Sequence, residues 1–192
     1  AAILIGLKAG LTISEIKQAL EKKFTLPRGR AAIIQGQKQS LIVDSSYNAS
    51  SMKDMITLMT QVRPQGRRLA LLGDMRELGA STQIMHEAIA QLAADTFEQV
   101  FLVGPAMKNF AWPILEKKLG QQVSCYQNAS EAGAVIASLL RPGDLLLVKG
   151  SQNTIFLEEA IKTLMEKPEL AADLLCRQDA YWLKVKRQIA AK

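Results

Sequence analysis

The chain has 192 residues, 48% of them apolar and 22% charged, with 12 Gly and 6 Pro. That is enough for one full domain with a sizeable core and excludes a disordered, collagen-like or low-complexity chain. The net charge is +6, from 24 Lys and Arg against 18 Asp and Glu. Half of that excess lies in residues 167 to 192, where six basic residues face three acidic ones, which reads as a basic helical tail with a solvated face. Nucleic-acid binding is disfavoured, because only 5% of the chain is aromatic and no stacking residues interleave with the charges. Apolar runs such as Leu145–Val148 are far shorter than the ~20 residues that span a bilayer, and the N-terminus has no leader pattern. Cys125 and Cys176 have no metal or disulfide-framework spacing, so a reducing, cytoplasmic setting is expected, with no metal site and no membrane span.

In chain order, residues 1–24 read as helical. Thr12-Ile13-Ser14-Glu15 has capping-box spacing, and Ile16, Leu20 and Phe24 recur four apart. Thr25 to Gly29, with Pro27, reads as a linker. Strands are expected near 31–35, 40–44, 68–72, 99–103, 122–126 and 144–149, and helices near 52–62, 82–95, 107–119, 130–140 and 154–166. Strand and helix alternate as in βαβ units, so the fold class is α/β: a three-layer, Rossmann-like domain with a mainly parallel sheet of about six strands. Gly36-Gln37-Lys38 is too short for a helical crossover, so the first two strands should form an antiparallel hairpin. Trp112-Pro113 should interrupt the third of these helices.

Ligands of an open parallel sheet bind beyond the carboxyl ends of its strands. The segments that follow the strands are Asp44 to Met52, Gly73 to Gly79, Gly104-Pro105 and Lys149 to Thr154, all small or polar. Lys149-Gly150-Ser151 before a helix offers a cation and free N–H groups to a carboxylate or phosphate. A simple helix cap by Ser151, Asn153 or Thr154 explains it equally well. Asp74 and Glu77 sit on a glycine-bounded loop, where they suit a cation or an ammonium group, or ordinary turn chemistry. His86, the only histidine, lies inside a helix where Ile84, Ala88 and Leu92 mark an apolar face, which favours packing or surface exposure over catalysis. Neither Gly-x-x-x-x-Gly-Lys-Ser/Thr nor Gly-x-Gly-x-x-Gly occurs, so the sequence carries no P-loop and no dinucleotide fingerprint.

Taken together and in order, the strand-end segments resemble the C-terminal part of a Mur ligase, most like the branch that adds D-alanyl-D-alanine. The residues that carry the resemblance are Gly29-Arg30, Asp44-Ser45-Ser46-Tyr47-Asn48-Ala49-Ser50-Ser51-Met52, Leu72 to Gly79 with His86, Val103-Gly104, and Gly143-Asp144 to Lys149-Gly150-Ser151. The resemblance implies three parts: 1–29 as the helical end of a central ATPase domain plus linker, 30–166 as the Mur ligase C-terminal domain, and 167–192 as a variant tail. It implies ATP as cofactor, with Mg2+ held mainly by parts that precede Ala1, and UDP-N-acetylmuramoyl-tripeptide and D-alanyl-D-alanine as substrates. It also implies the N-terminal and central domains of the ligase as partners.

By the same resemblance Arg30, Asp44, Ser45, Tyr47 and Asn48 belong to nucleotide binding, and Asp74, Glu77, His86, Lys149, Gly150 and Ser151 to the incoming substrate. No residue of this stretch is implied as catalytic. Two departures stand out: Ser45 replaces the carboxylate that takes the ribose hydroxyls, and the loop before Met52 is two residues shorter and lacks its proline. Without a P-loop the chain alone is expected to be inactive. Competing readings are a non-catalytic binding module of the same fold and another ligase of the superfamily, such as folylpolyglutamate or cyanophycin synthetase.

Overall fold

The computed structural model describes residues 2–48, 51–151 and 154–190. Two short helices, α1 (Ala2–Lys8) and α2 (Ile13–Lys23), come first. The Thr12 hydroxyl accepts the Glu15 N–H and the Glu15 carboxylate accepts the Thr12 N–H, the reciprocal box that the spacing predicts. Only Ile16 of the expected stripe is buried; Leu20 and Phe24 are exposed, along with Leu4, Ile5 and Ile13.

The domain that follows is built on six strands: β1 (Ala32–Gln35), β2 (Leu41–Ser45), β3 (Arg68–Gly73), β4 (Gln99–Val103), β5 (Val123–Tyr126) and β6 (Leu145–Lys149). Their order across the sheet is β1-β2-β6-β3-β4-β5. β1 and β2 are antiparallel, with Ile33 opposite Val43, and every other pair is parallel. The fold class is therefore as expected. Central β6 reads Leu-Leu-Leu-Val-Lys and is buried along its whole length, because layers of helices cover both of its faces.

Alternation along the strands splits the core into two layers. On one face α3 (Met52–Gln61), α4 (Thr82–Thr96) and α5 (Trp112–Leu119) pack Met55, Ile56, Ile89 and Leu115 against Ala70, Leu72 and Leu147. On the other, α6 (Ala129–Leu139) and α7 (Glu158–Leu164) pack Ile136, Ala160 and Leu164 against Leu71, Phe101 and Val148. Gly133 permits the close α6–α7 approach, since a Cβ there would lie 2.8 Å from the Ala160 Cα. Beyond them come α8 (Ala171–Leu174) and α9 (Ala180–Ala190). Pro113 falls in the first turn of α5, after a wide turn over Met107–Ala111, so the expected interruption is present.

Two expectations need correction. The helix expected over 154–166 forms only from Glu158, because Phe156 has a left-handed backbone (φ 46°) that no α-helix accommodates. The tail's charges are not all solvated: Arg177 and Lys186 are buried against Glu158, and Leu175 enters the core. Carboxylates from α7 reach under the tail and compensate those two cations.

Candidate functional site

Three segments distant in sequence converge at the carboxyl end of β2. Gly29, Arg30 and Ala31 from the linker, Ser45 and Asn48 from the strand end, and Ser51 and Met55 from the start of α3 line a cavity of about 230 Å³. Gly29 (φ 71°) and Ala31 (φ 60°) are both left-handed, and this double turn swings Arg30 to the cavity rim, where it is exposed. At Gly29 the glycine is also needed for space, since a Cβ would stand 2.9 Å from the Tyr47 Cβ. The Tyr47 N–H donates to the Gly29 carbonyl (3.1 Å), and the Arg30 guanidinium lies 5.2 Å from the Tyr47 ring centroid. Arg30, Ser45 and Asn48 are thus brought together, with Tyr47 beside them. Ala49 and Ser50 of the same motif lie outside the described residues.

Asp44 faces the other way, as strand alternation requires. Its Oδ1 accepts the Ser46 N–H (3.0 Å), while its fully buried Oδ2 has no hydrogen-bond partner. Burial pushes its carboxyl above the ordinary range, and the Ser46 hydrogen bonds only partly oppose this.

The second group surrounds the switch point of the sheet. β3 leads to α4 on one face and β6 to α7 on the other, so the switch-point crevice lies beyond these neighbouring strands, with Ile155 and Leu157 packed close to Gly73 and Gly150. Leu72 pairs with Lys149, so the loops of Gly73–Gly79 and Lys149–Ser151 leave the sheet side by side. Gly150 permits this: a Cβ there would lie 2.7 Å from Leu157 Cδ1 and 3.5 Å from the Gly73 Cα. Arg76 closes the crevice on one side, its Nη1 donating to Thr154 Oγ1 (3.2 Å).

Lys149 connects the two groups. Its side chain is 1% exposed, and Nζ donates to the Asn48 carbonyl. Burial lowers its pKa from 10.5 to about 8, with the Asp44 carboxylate opposing the shift. Ser151 is buried beside it, whereas Asn153, one of the cap candidates, lies outside the described residues. Neither reading of this segment as a helix start holds, since α7 begins seven residues beyond Ser151 and its N-cap is Leu157. Any anion held at Lys149 is held by the ammonium and the loop, not by a helix terminus.

Asp74 and His86 have backbone partners. Asp74 accepts the N–H groups of Ala106 (3.1 Å) and Met107 (2.7 Å), capping the turn after β4. His86 is fully buried; Nε2 accepts the Met75 N–H (3.1 Å), and Nδ1 lies 2.7 Å from the Thr82 carbonyl. Both therefore shape the loop, and neither imidazole nitrogen faces the crevice. Glu77 is exposed with a left-handed backbone (φ 63°). Among the described residues no three His, Cys, Asp or Glu side chains cluster as a metal site, and no helix is long and apolar enough to cross a membrane.

Sequence reasoning missed two features. One is a cavity of about 440 Å³ beyond β4 and β5, lined by Gly104 and Pro105, which belong to an expected strand-end segment, and by Lys108, Cys125, Tyr126 and Glu131 among others, which do not. The other is the Arg177–Glu158–Lys186 cluster beside Tyr47. No local signal marks it, because its members are 9 to 28 residues apart in chain segments with no shared periodicity.

The antiparallel entry hairpin, the cation-rimmed cavity at β2 and the lysine at the switch point define an α/β domain of the open-sheet class, whose ligands bind beyond the carboxyl ends of the strands. Residues 29–152 match the family described as Mur ligase, glutamate ligase domain, and the chain belongs to that family. A curated relative from Bacillus subtilis, UDP-N-acetylmuramoyl-tripeptide–D-alanyl-D-alanine ligase, is 32% identical over 142 residues, which cover 72% of this chain and 31% of the relative. The fold is shared with the MurF ligase of Thermotoga maritima in complex with ADP (TM-score 0.65, 20% identity, 87% of this chain and 36% of that one). It is also shared with MurF from Acinetobacter baumannii (TM-score 0.67, 23% identity, 84% and 35%). The chain spans about a third of the length of these relatives.

Proposed function

We propose that this chain is the C-terminal domain of an ATP-dependent amide ligase that adds D-alanyl-D-alanine to UDP-N-acetylmuramoyl-tripeptide in the cytoplasmic stage of peptidoglycan synthesis. The observation that carries the reading is the convergence of Arg30, Ser45 and Asn48 on one cavity. A guanidinium at the rim suits phosphate oxygens, a hydroxyl and an amide suit ribose and base edges, and Met55 supplies an apolar wall. The residues therefore fit a nucleotide, but at about 230 Å³ the cavity is smaller than the ~300 Å³ at which enclosed small-molecule sites begin. A second wall from other domains of the ligase would complete it, and those regions would also hold most of the Mg2+.

When bound, ATP supplies the phosphoryl group that activates a carboxylate toward an amine. This chain's residues bind and orient. Arg30 meets phosphate oxygens, Ser45 and Asn48 with Tyr47 hold the nucleoside, and buried Asp44 stiffens the turn through Ser46. Lys149, Gly150 and Ser151 border the crevice assigned to the incoming dipeptide, where Nζ would exchange the Asn48 carbonyl for the dipeptide carboxylate. Asp74 and His86 hold the facing loop, and Glu77 lies at its exposed tip. Residues 1–29 are assigned to the end of the preceding ATPase domain, which the exposed Leu4, Ile5 and Ile13 support as a covered surface. Residues 30–166 are assigned to the ligase domain proper and 167–192 to its tail, of which Arg177 and Lys186 pair with Glu158 of α7.

The test is ADP release by the complete protein with UDP-N-acetylmuramoyl-tripeptide and D-alanyl-D-alanine, each omitted in turn. Dependence on both is expected, as are weak ATP binding and no turnover by the 192-residue chain alone. Turnover by this chain alone, or release that follows glutamate instead of the dipeptide, overturns the reading.

A further inference from the structure

We propose that residues 171–186 form a strap that positions the wall of the Arg30–Ser45–Asn48 cavity, with Arg177 as its positioning residue. The inference deepens the nucleotide reading above and rests on it for the identity of the ligand.

The strap is anchored from below. Arg177 donates from Nε and Nη2 to the two oxygens of Glu158 (2.8 and 2.6 Å), a parallel fork that admits one mutual orientation. Glu158 is fully buried at the start of α7, and Lys186 approaches the same carboxylate at 2.9 Å while donating to the Arg177 carbonyl (2.8 Å). A buried ion cluster is a poor source of stability, since desolvation offsets the attraction, but it fixes geometry closely. It also holds Arg177 in a left-handed backbone (φ 54°), which a residue with a Cβ adopts only when its surroundings impose it.

The remaining surface of the strap grips the cavity wall. Arg177 Nη2 lies 3.5 Å from the Ser46 carbonyl, and its guanidinium lies 5.5 Å from the Tyr47 ring centroid. Cys176 Sγ is 3.8 Å from Ser46 Oγ, and Arg28 Nη1 donates to the Ala172 carbonyl (2.8 Å). The linker that carries Arg30 and the turn that carries Asn48 are therefore held by one short stretch, 172–177. Without Arg177, the buried carboxyls of Glu158 and Asp44 would lose the guanidinium that lies among them. The turn at Ser46 and Tyr47 would lose its backing.

The experiment compares the complete protein with two variants: Arg177→Met combined with Glu158→Leu, which removes both charges at once, and Arg177→Lys, which keeps the charge but loses the fork. Hydrogen exchange is read at the hydrogen-bonded amides of Arg30, Ser46 and Tyr47, and ATP affinity by titration. Expected are exchange at those three amides faster by about tenfold or more, unchanged exchange in β3 and β4, and ATP binding weaker by about tenfold. In a Tyr47→Ala background the Arg177 effect on ATP affinity should largely vanish. Unchanged exchange at the three amides in a folded variant overturns the strap, as does loss of protection spread evenly over the sheet. If the double variant fails to fold, Arg177→Lys must show the same local pattern to a smaller degree, and its absence there overturns the proposal. Local exchange that responds in a protein with no ATP affinity even before substitution keeps the strap and discards the nucleotide as its ligand.

Discussion

Replacing Lys149 by methionine should stabilise the fold at neutral pH while impairing its function. Burial holds the Lys149 ammonium at a pKa of about 8 against 10.5, the Asp44 carboxylate notwithstanding. At about 1.4 kcal/mol for each tenfold in proton affinity, the charged form stands about 3 kcal/mol above its level in water. Methionine fills nearly the same volume without a charge, and loss of the bond to the Asn48 carbonyl takes back about 1 kcal/mol. The net gain of about 2 kcal/mol corresponds to a rise in Tm of about 4–8 °C for a chain of this size.

The sign of the pH dependence follows from proton counts. Between about 8 and 10.5 the unfolded chain retains the lysine proton and the folded chain releases it, so wild-type stability rises with pH through that window. Methionine has no such gain. The difference between variant and wild type should be largest below pH 8 and close toward pH 10.5, as read by thermal melts across that range. In the complete protein the same substitution should raise the dipeptide KM. A lower Tm at neutral pH, or a difference that ignores pH, would refute the reasoning and make Lys149 a stabilising ion-pair partner of Asp44.

Arg30→Ala should lower kcat/KM for ATP in the complete protein by more than about tenfold, since a charge-assisted contact contributes about 1.5–3 kcal/mol. Its Tm should barely move, because Arg30 is exposed; unchanged kinetics would leave it a linker residue. Asp74→Ala leaves the Ala106 and Met107 N–H groups without their cap and should cost about 1–2 kcal/mol in urea melts, with Asp74→Asn recovering part of it. Asp144 is buried, and the hydrogen bonds from Arg67 and Arg141 outweigh desolvation and hold its carboxyl below 3.8. Its contribution is present above pH 3.8 and lost as pH falls through the folded value. An Asp144→Asn variant should therefore show a flatter acid limb in a pH–stability profile.

Much of this molecule follows from local rules that a sequence states outright. Strand alternation, the short Gly36–Lys38 link and the Thr12–Glu15 cap depend on neighbours within a few residues, so the hairpin, the βαβ order and most element limits were legible. The strand-end rule also pointed to Ser45, Asn48 and Lys149, because topology alone sends those loops to one edge of the sheet, whereas Arg30, which precedes β1, was reached only through the family resemblance. Orientation and burial were decided only in three dimensions. Asp44 and Ser45 are adjacent in sequence, yet pleating sends them to opposite faces, one into a buried charge cluster and the other into the cavity. His86 and Asp74 resembled ligands as residue types, but their polar atoms meet backbone groups, those of Met75 and Thr82 for His86 and the N–H groups of the loop after β4 for Asp74, which only the packing decides. Arg177 and Lys186 read as solvated charges because their carboxylates stand on another helix, and a charge is legible as buried only when its partner is known. Sequence periodicity reports a residue's relation to its own element; compensation of a buried charge is a relation between elements, and only packing creates it.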